Sequence, residues 1–201
     1  MIKVLVADDQ ALVRGALAMM LDLEPDITVV AQVGDGDAVL EAAREHTPDV
    51  VLMDVQMPGK DGLAAAQELH AEMPGCKIVI CTTFGRPGYL MRAMAAGAAG
   101  FIVKNSSPEQ LVAAVRRVHQ GLRVVDPVLA AESLVSGPNP LTEREREVLR
   151  TAADGVTVAH VADKLHLSGG TVRNHLSSAI GKTGSRTRGE AYRIAELRGW
   201  L

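Results

Sequence analysis

Aromatic side chains are nearly missing from this sequence: they make up 2% of its 201 residues, with a single tryptophan. Any core must therefore be filled by Ala, Val, Leu, Ile and Met, which suits helices packed on a parallel sheet. Cysteine is as scarce. Cys76 and Cys81 are the only two, too few for a disulfide framework or a structural zinc site. Cys81 lies inside an apolar run and reads as a small core residue. No apolar run approaches the roughly 20 residues of a membrane span. The opening Met1-Ile2-Lys3-Val4-Leu5-Val6 enters a strand pattern directly and has no signal-peptide layout. Together these absences point to the reducing cytoplasm. What remains is 47% hydrophobic and 22% charged, the composition of a packed globular chain.

The net charge of -3 conceals an uneven distribution. Residues 1–137 carry 11 Lys and Arg against 17 Asp and Glu, whereas residues 138–201 carry 10 against 7. From Gly169 onward the count is 6 against 2. An acidic front and a basic tail predict two modules with different partners.

In the front module five apolar runs recur about every 25 residues: 3–7, 27–33, 50–54, 77–82 and 100–104. Helical patterns separate them. Val13, Ala16, Leu17, Met20 and Leu21 share one helical face, and the segment 62–72 is rich in Ala, Leu and Glu. Ser107 and Pro108 open the last helix as N-cap and first residue, and Gly121 closes it. Strand and helix alternate five times, which predicts a doubly wound, five-stranded parallel α/β sheet of flavodoxin-like type. The strand ends carry chemistry: Asp8-Asp9, Asp54, Thr82-Thr83 and Lys104. In the order 2-1-3-4-5 the first and third strands are neighbours, so Asp8, Asp9 and Asp54 converge. Three packed carboxylates repel one another; a hard divalent cation such as Mg²⁺ among them would relieve the repulsion. A lysine and a hydroxyl opposite complete a cradle for a phosphoryl group.

Asp8-Asp9, Asp54 with Met57-Pro58-Gly59, Thr82 and Gly100-Phe101-Ile102-Val103-Lys104 resemble the receiver domain of bacterial response regulators. The resemblance covers residues 1–121. It implies that Asp54 is the phosphoacceptor and that Asp9, Asp54 and the main-chain carbonyl of Gln56 ligate Mg²⁺, with Asp8 holding a coordinated water. Lys104 would pair with the phosphoryl group, Thr82 would move in to hydrogen-bond it, and Phe101 would change rotamer as Thr82 moves. The family often has tyrosine at this last position, so phenylalanine keeps the packing and loses the hydroxyl.

Residues 122–140 read as a linker with a short helix over 126–134, broken by Ser136-Gly137-Pro138-Asn139-Pro140. Residues 141–201 then read as all helix. Thr142 and Glu145 form a capping box, Thr157 caps a second helix over 158–164, and Ser168 caps a third from Gly169 to Lys182. A tight turn between the last two makes a helix-turn-helix, whose second helix enters the major groove of duplex DNA. Leu141 to Leu149, Leu167-Ser168 and Thr171-Val172-Arg173-Asn174-His175-Leu176 are similar to the LuxR-type output domain of the NarL/FixJ family. That similarity places Arg173, Asn174 and Ser177 toward the bases, with Val172 and Leu176 toward the core. Thr171, Lys182, Arg186 and Arg188 suit phosphates. Two departures stand out: Ser177 is short for its place, and Gly169-Gly170 open the helix. Glycines weaken a helix by about 1 kcal/mol each relative to alanine, but they let backbone amides approach a phosphate. The last helix, 188–197, carries Ala191, Ile194 and Ala195 on one stripe; in this family that helix makes the dimer contact on DNA.

The expected function is that of a transcription regulator. A sensor histidine kinase would phosphorylate Asp54, and the phosphorylated chain would form a homodimer that binds promoter DNA. The segments 82–89 and 170–174 resemble a branch of the family whose kinases sense the membrane or cell envelope. Two alternatives stand beside it: an orphan regulator that never uses its aspartate, and a Mg²⁺-dependent phosphatase with an aspartate nucleophile. The phosphatase would need an acid two residues after Asp54, where Gln56 stands.

Overall fold

The computed structural model describes residues 1–83, 85, 87–136, 139–153 and 155–201, with backbone alone for Pro87, Val128, Glu132, Leu134, Val135 and Ser136. The chain divides into two compact units, one of residues 1–85 and 90–131, the other of residues 86–89 and 132–201.

The first unit is a parallel sheet in the order β2-β1-β3-β4-β5-β6. Its strands are β1 (Ile2–Ala7), β2 (Ile27–Val33), β3 (Val50–Met53), β4 (Lys77–Thr82), β5 (Gly100–Val103) and β6 (Val124–Val125), and the first five are linked by α1 (Ala11–Asp22), α2 (Ala38–His46), α3 (Gly62–Glu72) and α4 (Pro87–Ala95). Helix α5 (Pro108–His119) follows β5, and α6 (Pro127–Ser136) follows β6. Strand β3 has no exposed residue. This is why its sequence does not alternate: both faces are covered. Val4, Val6, Val50, Leu52, Cys81 and Ile102 pack one face against Leu21 of α1 and Leu111, Val115 and Val118 of α5.

Two features differ from the sequence reading. The sheet continues past β5: Val124 and Val125 pair parallel with Gly100 and Phe101. A pair of β-branched residues beside an open sheet edge is well suited to extend it. Thus the segment read as linker begins as a sixth strand, followed by a helix slightly longer than the expected 126–134. Helix α1 also leaves Ala16 exposed, in line with Leu12, Met19 and Leu23, which are 86%, 74% and 83% exposed. Of the expected chain breaker 136–140, Gly137 and Pro138 lie outside the described residues.

The second unit comprises α7 (Glu143–Thr151), α8 (Val158–Lys164), α9 (Gly169–Thr183) and α10 (Arg188–Leu197). Thr142, Thr157, Ser168 and Thr187 cap them, each side chain accepting a backbone N–H three residues on. Leu141, Val148, Leu149, Val161, Val172, Leu176 and Trp200 fill the core.

One close approach fixes the chain beside Asp54. Gly62 donates its N–H to the Val55 carbonyl at 2.9 Å, and a Cβ on Gly62 would lie 1.8 Å from the carbonyl oxygen of Asp54. Backbone cannot yield as a flexible side chain can, so Gly62→Ala is expected to destabilise the first unit by about 1–3 kcal/mol or more. Urea unfolding followed by far-UV circular dichroism measures the loss.

Candidate functional site

The ends of β1, β3, β4 and β5 meet in one pocket. Strand order makes β1 and β3 neighbours, and the Asp54 N–H donates to the Ala7 carbonyl at 2.8 Å. Asp8, Asp9 and Asp54 each bring a carboxylate oxygen within 4.8 Å of the others. Asp8 and Asp54 are buried, at 1% and 4% exposure, while Asp9 faces solvent. Lys104 enters from β5, its N–H on the Thr82 carbonyl at 2.8 Å. Its ammonium lies 2.7 Å from Asp8 Oδ2 and 2.8 Å from Asp54 Oδ2. The second Asp54 oxygen accepts the Val55 N–H at 2.7 Å.

The electrostatics of this pocket pull in opposite directions. Burial is the largest influence on Asp54 and raises its pKa; Lys104 opposes it, Asp8 adds to the rise, and the net direction is upward. Burial lowers Lys104, but the hydrogen bonds it donates to Asp54 and Asp8 outweigh it, and its pKa is raised. Three carboxylates and one ammonium leave the pocket short of positive charge.

Thr82 is 2% exposed and Phe101 1%. Phe101 is also among the residues lining a cavity of about 310 Å³, with Val124, Val125, Asp126 and Pro127. Gln56 is exposed, two residues beyond Asp54. One contributor escaped the sequence reading. Arg14 of α1 donates from Nη1 to the main-chain carbonyl of Asp8 at 2.6 Å and braces the loop that carries both acids. An arginine on the polar side of an amphipathic helix gives no sign of such a target.

In the second unit α9 buries Val172, Leu176 and Ala179 and leaves Arg173, Asn174 and Ser177 exposed. At 100° per residue, Gly170, Arg173, Asn174, Ser177 and Gly181 lie on one outward arc, so only two long side chains project from it. Residues 4–116 match the family described as response regulator receiver domain, and residues 139–195 match bacterial regulatory proteins, luxR family. The chain belongs to the LuxR-type response regulators. Across all 201 residues, and all of each relative, it is 44% identical to the transcriptional regulatory protein DesR and 43% identical to the uncharacterized transcriptional regulatory protein YvfU, both of Bacillus subtilis. The crystal structure of the response regulator ChrA of a heme-sensing two-component system covers 100% of this chain and 98% of its own, at 34% identity and a TM-score of 0.59. The family consists of DNA-binding transcription regulators, which removes the phosphatase alternative.

The residues of this LuxR-type regulator expected at phosphates are not equally free. Arg186 is exposed. Arg188, in contrast, donates from Nη1 to the Val156 carbonyl at 2.7 Å, and the Thr171 hydroxyl lies 2.8 Å from the Ser168 hydroxyl at the helix cap. Lys182 departs furthest from expectation: its ammonium sits 2.9 Å and 2.8 Å from the two carboxylate oxygens of Glu145. These three have structural partners within their own unit. The apolar stripe of α10 is likewise spent internally, since Ala191 and Ala195 are fully buried and Ile194 packs beside them. An amphipathic pattern shows that a stripe is covered, not by what.

Two expectations follow. Burial would raise the Glu145 pKa, but hydrogen bonds from Lys182, Ser178 and Thr142 overcome it and hold the carboxyl at about 2, below its ordinary 4.5. Protonation therefore favours the unfolded chain. The contribution is complete above about pH 4.5 and is lost as pH falls through about 2. Trp200, the one tryptophan, belongs to this unit and reports its unfolding by fluorescence; Glu145→Gln should flatten the acid limb of that profile. The second concerns Gly170, whose added Cβ would meet only Ser168 Oγ at 3.7 Å. The fold itself does not require glycine there. Gly170→Ala should raise stability by up to about 1 kcal/mol while weakening DNA binding, because the methyl group stands on the outward arc. Unchanged DNA affinity in a gel-shift titration would show that the glycine is merely tolerated.

Proposed function

We propose that Asp54 accepts a phosphoryl group from a sensor histidine kinase and that the phosphorylated chain binds promoter DNA as a homodimer. In the transfer the P–N bond of the kinase's phosphohistidine breaks and a P–O bond to an Asp54 carboxylate oxygen forms. The observation that carries this reading is a buried Asp54 held 2.8 Å from Lys104, with Asp8 and Asp9 beside it. Lys104 is placed to follow the phosphoryl oxygens, and Thr82, buried at the end of the neighbouring strand, to approach them.

The pocket fits Mg²⁺. Its donors are hard oxygens, its three carboxylates are not balanced by one ammonium, and Asp9 is exposed to solvent. Asp9, Asp54 and the Gln56 main-chain carbonyl would hold the ion, with Asp8 on a coordinated water. When bound, Mg²⁺ would neutralise charge on the phosphoryl oxygens.

Phosphorylation takes Asp54 from one negative charge to about two. The added oxygens draw Thr82 inward, and Phe101 repacks behind it. The exposed α1 stripe of Leu12, Ala16, Met19 and Leu23 supports dimerisation, since an apolar helix face of this kind gains from a second copy. Arg173 and Asn174 are the base-reading side chains, suited to guanine and adenine edges, with Ser177 between them and Arg186 at a phosphate. The resemblance of the segments 82–89 and 170–174 supports a kinase that senses the membrane or cell envelope, with the regulator acting in the cytoplasm.

Incubation of the full chain with Mg²⁺ and a small phosphodonor, followed by intact-mass spectrometry, tests the reading. One phosphoryl group should be gained, none by Asp54→Asn, and the gain should require Mg²⁺. An unmodified wild-type chain whose DNA affinity ignores the donor would instead support the orphan regulator.

A further inference from the structure

Glu145 is 4% exposed, and two helices meet its carboxylate at once. On its own helix, Oε2 accepts the Thr142 N–H at 2.7 Å and closes the capping box. From α9, Ser178 Oγ donates to Oε1 at 2.6 Å, and Lys182 Nζ reaches Oε1 at 2.9 Å and Oε2 at 2.8 Å. Ser178 and Lys182 are four residues apart, so they stand one above the other on the same side of α9. Two points on one side of a helix fix both its rotation about its axis and its slide along it. On the core side Val172, Leu176 and Ala179 resist approach, but apolar packing alone tolerates small rotations that a pair of short hydrogen bonds does not.

We propose that Glu145 is a positioning residue for the DNA-reading helix, and that Lys182 stays on Glu145 rather than moving to a phosphate when DNA binds. The inference rests on the DNA reading assigned to α9 above. Its physical basis is the cost of leaving a carboxylate buried without its counter-charge: a phosphate at the surface would have to displace a partner that Glu145 cannot replace. Arg173 and Asn174 occupy the exposed arc beside Ser178. Bidentate base contacts depend on orientation, so a rotated helix loses discrimination before it loses charge.

The test uses the full chain and a duplex that the wild type selects from a random pool, compared with a scrambled duplex of the same composition. Affinities are measured over a range of salt concentrations, with the folded fraction followed by Trp200 fluorescence. A lysine on a phosphate contributes about one unit to the slope of log affinity against log salt. Lys182→Met is expected to leave that slope unchanged while the preference for the selected duplex falls about tenfold or more. Glu145→Gln should lose a similar preference, and the double variant no more than either alone. Lys182→Arg, which keeps the ion pair, should retain the preference. A slope reduced by about one unit in Lys182→Met with the preference intact would make Lys182 a phosphate contact and overturn the proposal. A lower folded fraction with unchanged preference would overturn it too, leaving Glu145 a purely structural residue. A random pool that yields no favoured sequence would refute the DNA reading itself, and is told apart because the wild type then fails as well.

Discussion

Everything in the first unit depends on how charge is balanced at the carboxyl ends of β1, β3 and β5. Burying Asp8 and Asp54 side by side is costly, and Lys104 bridges both at 2.7 Å and 2.8 Å. The sheet exists in the form that allows this. Its continuous apolar strands keep the ends in register, Arg14 steadies the β1–α1 loop through the Asp8 carbonyl, and the absence of a side chain at Gly62 lets α3 begin against Asp54. One ammonium against three carboxylates leaves a pocket that gains from a further cation, and a phosphoryl group arriving at Asp54 would redirect Lys104. The balance is unfinished, and in the proposed function that is what would make the site responsive.

Much of this was legible in the sequence because it is local or periodic. The apolar runs ending in Asp8, Asp54, Thr82 and Lys104 announced both the sheet and the pocket, since residue type at a strand end depends on a few adjacent positions. The same holds for the caps at Ser107, Thr142, Thr157 and Ser168, each decided within three residues. Illegible were the pairs that periodicity does not encode. Glu145 was recognisable as half of a capping box, but its other partners lie 33 and 37 residues away. Lys182 looked like a phosphate ligand because a lysine late in a basic helix is one by default. Only the fold shows that its charge is already committed. The valine pair of β6 was too short to rise above a linker, and the α10 stripe could not say which surface covers it.

The two units contain the same ionic element, a buried carboxylate with a lysine across it, and use it to opposite ends. Around Asp54 the net effect raises the carboxyl pKa, because burial and Asp8 outweigh the help of Lys104. Around Glu145 the net effect lowers it to about 2, because Lys182, Ser178 and Thr142 together outweigh burial. The difference lies in the neighbours. Asp54 shares its lysine with a second buried acid, so its negative charge is under-served and the local structure can gain by changing. Among the described residues Glu145 shares its lysine with no other acid, and it takes further hydrogen bonds to both oxygens, so any change there is a loss. If Asp54 is the proposed switch, a switch and a strut are here built from one pair of residue types, and they differ in how many acids share the lysine and how many donors meet each carboxylate.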